Sequence, residues 1–305
     1  MGLFLIALSC TTGAAEPAPS AIDSDGRTIT LSMPARRIVS LAPHATELLF
    51  AAGAGARVVG VSEYSDFPQA AKRLPRVASS AGVDLERTLA LRPDLVVAWR
   101  FEATRGPLER LAGLGVTVFV SEPRQLGQIA DNIEALGALA GSSAVARSAA
   151  AALRADLARL RATYAGRTPL RVFYQIADKP LMTVNHEHLI SSVLELCGAR
   201  NVFAQARGIA PVVNVEEVLA ADPDVIVAGR SNPADAGWQM PWKMRYGALR
   251  AVREDRLVAT DSNVMHRHGP RIVAGAEALC ERLDALRRRA PAAAGRHAAK
   301  VASRH

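Results

Sequence analysis

Cysteine is scarce, three in 305 residues, which is too few for a fold stapled together by disulfides. With 22 Gly and 17 Pro, half of the residues apolar and 22% charged, the chain is neither collagen-like nor intrinsically disordered. Past the opening residues there is no run of about 18 uninterrupted apolar positions, so the body carries no membrane span. The signatures of catalysis are missing as well. There is no G-x-S-x-G, no Walker loop and no H-E-x-x-H, and Gly53-Ala54-Gly55-Ala56-Arg57 precedes a strand pattern and lacks the third glycine of a dinucleotide loop. No C-x-x-C spacing offers a metal site. The expectation is a globular protein that is not an enzyme, with no resident cofactor and no protein-held metal; an exported hydrolase or metal chelatase is the contrasting reading.

The net charge of +8 has the sign of a nucleic-acid binder until it is located along the chain. Arg287, Arg288, Arg289, Arg296, Lys300 and Arg304 carry six of those charges with no acid among them, so the body is nearly neutral. With no zinc-finger or RNA-binding pattern and no basic stripe interleaved with aromatics, no nucleic-acid partner is expected. Residues 289–305, rich in Ala, Arg and His, read as a disordered basic tail.

An apolar run from Leu3 to Leu8, followed by small residues up to Ala15, has the look of a secretory signal and its cleavage site, so residues 1–15 are read as a signal segment. No basic residue precedes Arg27, which leaves an upstream start codon open. Cys10, after Ala-Leu-Ser, is an alternative lipoprotein acceptor, although Ala7 stands where Leu is usual. Export makes the other cysteines readable. Cys197 and Cys280 both lie in apolar helical patterns, and an even pair in an oxidising compartment reads as one disulfide with Cα atoms about 5 to 6 Å apart. Two buried free thiols are the alternative.

Comparing the chain with itself gives its organisation. Residues 84–98, DLERTLALRPDLVVA, align without a gap with residues 214–228, NVEEVLAADPDVIVA. Asp84 and Asn214 can each cap a short helix, with Glu86 and Glu216 in the first turn where the helix dipole favours a carboxylate. Pro93-Asp94 and Pro223-Asp224 then lead into apolar, β-rich runs, Leu95 to Ala98 and Val225 to Ala228. Upstream, each copy opens with a basic residue and a strand, Arg37-Ile38-Val39 and Arg171-Val172-Phe173, followed by an apolar helix ending near Gly53 or Gly198. Strands alternating with helices at this spacing imply crossover units and mainly parallel sheets. The fold class is therefore α/β, with two Rossmann-like lobes over residues 35–141 and 167–288.

Between the lobes, Ser142 to Ala165 contains no Gly or Pro, and Val145, Ala149, Leu153, Leu157, Leu160 and Tyr164 recur at intervals of three or four. This predicts one long helix over 142–166, roughly 36 Å at about 1.5 Å per residue, joining the lobes as a rod and opposing large hinge motion.

The stretches RIVSLAPHATELLFAAG (37–53), VGVSEYSDFPQAA (59–71), DLERTLALRPDLVVAWR (84–100), LISSVLELCGARNVF (189–203), NVEEVLAADPDVIV (214–227) and Pro270-Arg271-Ile272 together resemble the helical-backbone class of periplasmic binding proteins over about residues 35–287. That class serves importers of cobalamin, haem and ferric siderophores, and the resemblance is closest to its cobalamin-binding members. It implies a monomeric periplasmic protein that holds a corrinoid between its lobes and delivers it to a membrane ABC transporter built on a permease dimer. Haem or a ferric siderophore is the alternative ligand.

Residues are carried over one by one. Tyr64 and Trp99 match cleft aromatics of the cobalamin binders, placed directly after the predicted strands Val58 to Val61 and Leu95 to Ala98, and aromatic faces suit a large flat ring. Asn263, Val264, Met265, His266 and Arg267 match the ligand loop of the second lobe, ahead of Pro270 in the first turn of the last helix. His44, His266 and His268 are expected to contact the ligand rather than to coordinate metal. Glu86 and Glu216 correspond to the two lobe-tip glutamates that face transporter arginines, although a glutamate in a first helical turn is good helix chemistry in any case. The sequence also departs from the pattern. Ser80, Ile176, Met182 and Ala210 stand where cobalamin-packing aromatics are expected, with Tyr174, Met182, Trp238 and Trp242 as candidate replacements.

Overall fold

The computed structural model describes residues 18–100 and 102–289. The expected signal segment 1–15, with Cys10, lies outside them, as does the expected tail beyond Arg289. The fold is α/β with two sheets. The first has six strands in the order Gly82–Val83, Arg76–Ser79, Val58–Ser62, Ile38–Ser40, Leu95–Ala98 and Thr117–Val120. All neighbours are parallel except Gly82–Val83 against Arg76–Ser79. The second has four parallel strands in the order Ala199–Asn201, Leu170–Gln175, Val225–Arg230 and Leu257–Asp261.

The central strands are apolar on both faces because helices cover both sides. Ile38, Val39, Leu95, Val96, Val97, Val225, Ile226 and Val227 are all fully buried. The internal repeat has a structural reason. In the first lobe the Asp94 carboxylate accepts from the backbone N–H groups of Arg36 and Arg37, and its own N–H donates to the Arg37 carbonyl. In the second, Asp224 accepts from the Arg171 N–H and donates to the Arg171 carbonyl. Each Pro-Asp thus pins the start of the neighbouring strand while opening its own. The caps are also paired: Asp84 accepts from the Arg87 N–H at 2.9 Å, and Asn214 and Glu217 form a reciprocal capping box.

The connecting helix is Ser143–Tyr164, 22 residues or about 33 Å. Its buried stripe is Ala146, Ala150, Leu153 and Leu160; Val145, expected on that stripe, is exposed. The reason is close approach. A Cβ on Gly137 of the helix Leu126–Ala140 would fall 2.1 Å from the Ala146 Cβ, so the two helices meet through their smallest residues and rotate Val145 outward. Before residue 35, a hairpin of Ser20–Ile22 and Thr28–Thr30 joins the first lobe, with the Ser24 N–H donating to the Val120 carbonyl. Cys197 and Cys280 form a disulfide that ties the last helix, Ile272–Arg288, to the end of Leu189–Leu196. Its Cα separation of 4.7 Å is shorter than the expected 5 to 6 Å.

Candidate ligand-binding cleft

In an open parallel sheet the natural ligand site lies beyond the carboxyl ends of the strands, where successive connections leave toward opposite sides. In the first sheet that point lies between Ile38–Ser40 and Leu95–Ala98, and in the second between Leu170–Gln175 and Val225–Arg230. The segments that follow these strands and their neighbours Val58–Ser62 and Leu257–Asp261 build the site.

On the first lobe Leu41, Pro43, Tyr64, Val83 and Trp99 line a largely apolar concavity of about 240 Å³, with Ser80 also on its wall. Tyr64 is 71% exposed and Trp99 40%, so both rings reach the surface, Trp99 with His44 edge-on at 6.0 Å between ring centres. Tyr64 sits at φ 60°, a strained backbone position for a non-glycine residue. The loop around it is held firmly. Ser65 Oγ accepts from Thr46 and bonds Ser62 Oγ, while the Arg76 guanidinium donates to the carbonyls of Ser62 and Ser65. A larger concavity of about 720 Å³ between Arg124, Arg161, Glu187 and Glu195 is polar and charged, so it suits a flat apolar ring less well.

On the second lobe the repeat shows how the site was adapted. Extending its alignment by two residues sets Trp99-Arg100 against Gly229-Arg230. A Cβ on Gly229 would fall 2.1 Å from His266 Nε2, so the space of the missing side chain is filled by the imidazole of His266. That ring lies edge-on to Tyr174, whose hydroxyl is 3.0 Å from Thr260 Oγ1 and 3.3 Å from His266 Nε2. Arg230 pairs with Asp178 through both of its terminal nitrogens and covers Trp238, 5.3 Å from the ring centre.

Four histidines converge between the lobes. His268 is 5.3 Å from His188, 6.1 Å from Trp99 and 6.4 Å from His44 between ring centres. Burial, reinforced by the neighbouring His268, pushes His44 down to about 4 and His188 to about 3. Burial likewise lowers His266 and His268 to about 4 each. All four are therefore neutral near pH 7. Three of them have hydrogen-bond partners: His44 Nε2 donates to the Ser121 carbonyl, His188 Nδ1 accepts from the Ile190 N–H, and His266 Nε2 lies 3.3 Å from the Tyr174 hydroxyl. Among the described residues no three His, Cys, Asp or Glu are grouped to hold a metal ion.

The loop Asn263, Val264, Met265, His266 and Arg267 divides by role. The Asp261 carboxylate caps it by accepting from the Asn263 N–H. Arg267 reaches across to Asp66 and Glu47 of the first lobe, and its guanidinium holds the Asp66 carboxyl below the usual carboxylate range. Met265 and His44 need correcting as contact residues. Met265 has 0% exposure, packed under its own loop against the last helix, and His44 has 6%, edge-on behind Trp99, so both support the cleft surface from beneath. Tyr174, Trp238 and Trp242 are likewise buried, because Tyr174 and Trp242 spend their polar tips on Thr260 and Gln175 inside the lobe. Met182 and Ile176 remain partly exposed at the second lobe's small hairpin. His188, Arg230 and Glu47 were not singled out from sequence. Only Arg230 had a usable signal there, its register with Arg100. Glu86 and Glu216 both stand exposed in the first turns of Leu85–Ala90 and Val215–Ala221, and among the described residues neither makes an ion pair.

A family model described as Periplasmic binding protein matches residues 38–264. The chain is 41% identical over 247 residues to a Vitamin B12-binding protein of Vibrio cholerae, covering 81% of this chain and 88% of that one. The crystal structure of the periplasmic vitamin B12 binding protein of Vibrio cholerae superposes with a TM-score of 0.77 at 38% identity, covering 84% of this chain and 99% of that one. A periplasmic heme binding protein from Pseudomonas aeruginosa superposes with a TM-score of 0.71 at 29% identity, covering 81% and 91%.

Proposed function

The chain belongs to the periplasmic binding protein family, and from that premise we propose that it captures a corrinoid, cobalamin, between its lobes and passes it to an ABC importer in the membrane. The observation that carries the ligand class is the pair Tyr64 and Trp99. Two aromatic rings left exposed at the carboxyl edge of a parallel sheet, one of them on a strained backbone, form a face for a large flat ring. The relatives named for vitamin B12 match the chain at higher identity than the heme binder does, which supports cobalamin over haem.

The protein works by binding alone, as a periplasmic monomer. Tyr64 and Trp99 bury one face of the ring, and Asn263, Val264, His266 and Arg267 close on the other side from the second lobe. Export through residues 1–15, or tethering through Cys10, puts the protein in the periplasm. Glu86 and Glu216, exposed at the same position of each repeat, are the contacts for basic sites on a two-fold permease dimer. Haem is the second reading, favoured by the four neutral histidines, since imidazole is a common partner of haem iron.

Calorimetry against cyanocobalamin, cobinamide and haemin tests this. One-to-one binding with cyanocobalamin tightest supports the proposal. Preference for haemin replaces it with the second reading, and turnover of any of the three removes the binding-only function.

A further inference from the structure

We propose that Thr46 and Ser65 are positioning residues for Tyr64: through a buried cluster of hydroxyls they hold its backbone in the left-handed region and so fix the aromatic face on which the ligand lies. This rests on the corrinoid reading above and names the groups that preorganise its first-lobe surface.

Tyr64 is the third residue of a turn that opens at Ser62 and closes with the Ser65 N–H donating to the Ser62 carbonyl at 3.3 Å. At φ 60° that position ordinarily belongs to glycine or asparagine, because a Cβ is crowded there. The ring of Tyr64 is mostly exposed, so its own packing does little to impose the conformation.

The strain is held from the other side of the chain. Ser40 and Thr46 have no exposure, Ser65 has 1% and Ser62 6%, and their hydroxyls meet in one cluster. Thr46 Oγ1 is 2.8 Å from Ser40 Oγ and 3.0 Å from Ser65 Oγ, and Ser65 Oγ is 3.1 Å from Ser62 Oγ. Ser40 Oγ ends the run by donating to the Ala42 carbonyl. Arg76 Nη1 donates to the carbonyls of Ser62 and Ser65, so both ends of the turn are clamped by one guanidinium. The turn is thereby tied to the strand Ile38–Ser40, the helix Pro43–Ala51 and the strand Arg76–Ser79.

Relaxing Tyr64 to a negative φ would rotate the peptide planes on either side of it. Ser65 would then leave Thr46, and its carbonyl would turn away from Arg76. Buried polar groups left without partners are costly, and that cost opposes the relaxation. Tyr64 and Ser62 line the aromatic concavity, whereas Thr46 and Ser65 do not, so these two act on a ligand through the tyrosine. A face fixed before binding has no ordering cost left to meet on association.

The test uses the full chain, with calorimetry against cyanocobalamin and NMR of the ligand-free protein. In the wild type, Tyr64 is expected to show the strong intraresidue amide-to-Hα Overhauser effect of a positive φ. Thr46→Val, which keeps the branched shape and removes the hydroxyl, should lose that signature and bind cyanocobalamin about tenfold more weakly. Thr46→Ser, which restores the hydroxyl, should recover both. Tyr64→Ala should weaken binding by itself, and adding Thr46→Val to it should change affinity by less than about twofold, because nothing is then left to position. If Thr46→Val does not fold, Ser65→Ala removes the same contact from the other end and carries the same expectations. The proposal is overturned if the wild type lacks the Overhauser signature, if the folded variant keeps either the signature or the affinity, or if the loss persists undiminished on the Tyr64→Ala background. If the wild-type protein binds no cyanocobalamin, the corrinoid reading fails, and the Overhauser comparison of wild type with Thr46→Val still decides whether the hydroxyl cluster holds Tyr64.

Discussion

Arg271 of the second lobe closes on Glu47 of the first through two hydrogen bonds, Nε to Oε2 at 3.0 Å and Nη2 to Oε1 at 2.6 Å. Glu47 is almost wholly buried, Arg267 stands within 3.6 Å of it, and Arg271 also covers the Phe67 ring. A buried carboxylate facing two guanidiniums is tolerable only while the pairing is complete, and removing one partner of such a pair typically costs about 3–5 kcal/mol. Glu47→Gln should therefore lower the urea midpoint sharply. Glu47→Leu combined with Arg271→Met should recover part of the loss, because the unpaired charge then goes too. A single variant as stable as wild type would show that the pair contributes nothing across the lobes.

The same contact bears on motion. The lobes are joined at one side by the rod Ser143–Tyr164 and at another by the Glu47–Arg271 pair, so opening them means bending a helix or breaking a buried ion pair. Scattering curves with and without cyanocobalamin should nearly overlay. Clear compaction on binding would show that neither contact restrains the lobes.

How far the chain could be read from its letters depended on whether a feature repeats. The gapless match of 84–98 with 214–228 located both central strands, both capped helices and both Pro-Asp turns, because each is local chemistry that a spacing exposes. Contacts between distant segments left no such trace. Nothing about Glu47 in an apolar helix, or His188 before another, announces that Arg271 and His268 will meet them. Val145 failed for a related reason. Its spacing suited the buried stripe, but the partner helix offered Gly137, and the smaller Ala146 took the close contact. Tyr174 failed because a strand has two sides: one residue of a buried strand faces the cleft only if its neighbours do not need it in the core.

Acid should weaken the fold through the histidines. Burial lowers His44 from 6.5 to about 4, so between those values the unfolded chain binds more protons than the folded one. Stability is then complete above about pH 6.5 and falls as the pH drops toward 4, by about 3 kcal/mol for His44 alone. His188, His266 and His268 act in the same direction. Urea midpoints measured from pH 7.5 to 4.5 should decline, and His44→Gln, which can keep the donation to Ser121, should flatten the slope. A flat wild-type profile would mean that the imidazoles are hydrated enough to charge in place.

The disulfide should matter mainly to the unfolded chain. Cys197 and Cys280 are 83 residues apart in sequence, and closing a loop of that length restricts the denatured ensemble by about 4–5 kcal/mol. Replacing both cysteines by Ala should lower the melting temperature by roughly 10 °C while leaving cyanocobalamin affinity unchanged, since the bridge lies among the helices behind the second sheet. Equal melting of the two proteins would show that the bridge adds no net stability.

Glu86 and Glu216 offer the sharpest separation of binding from delivery. Each stands in the first turn of a capped helix at the same offset from Pro-Asp, and each is exposed without an ion pair among the described residues. Helix chemistry alone would account for that position, because a carboxylate near an N-terminus is favoured by the dipole. The other helix-end roles are already filled, however: Asp84 and Asn214 cap the two helices, and Glu217 completes the box. Reversing Glu86 or Glu216 to Lys should then cost little stability and leave cyanocobalamin affinity unchanged, since neither lines the aromatic concavity. Uptake into vesicles carrying the importer, and its stimulated ATP hydrolysis, should fall with either reversal and further with both. The loss should deepen at low salt, where charges on a rim act over more than the Debye length of about 8 Å found at physiological ionic strength. Unimpaired uptake by the double variant would reduce both residues to helix-end chemistry, and a parallel collapse of ligand affinity would place them on the cleft.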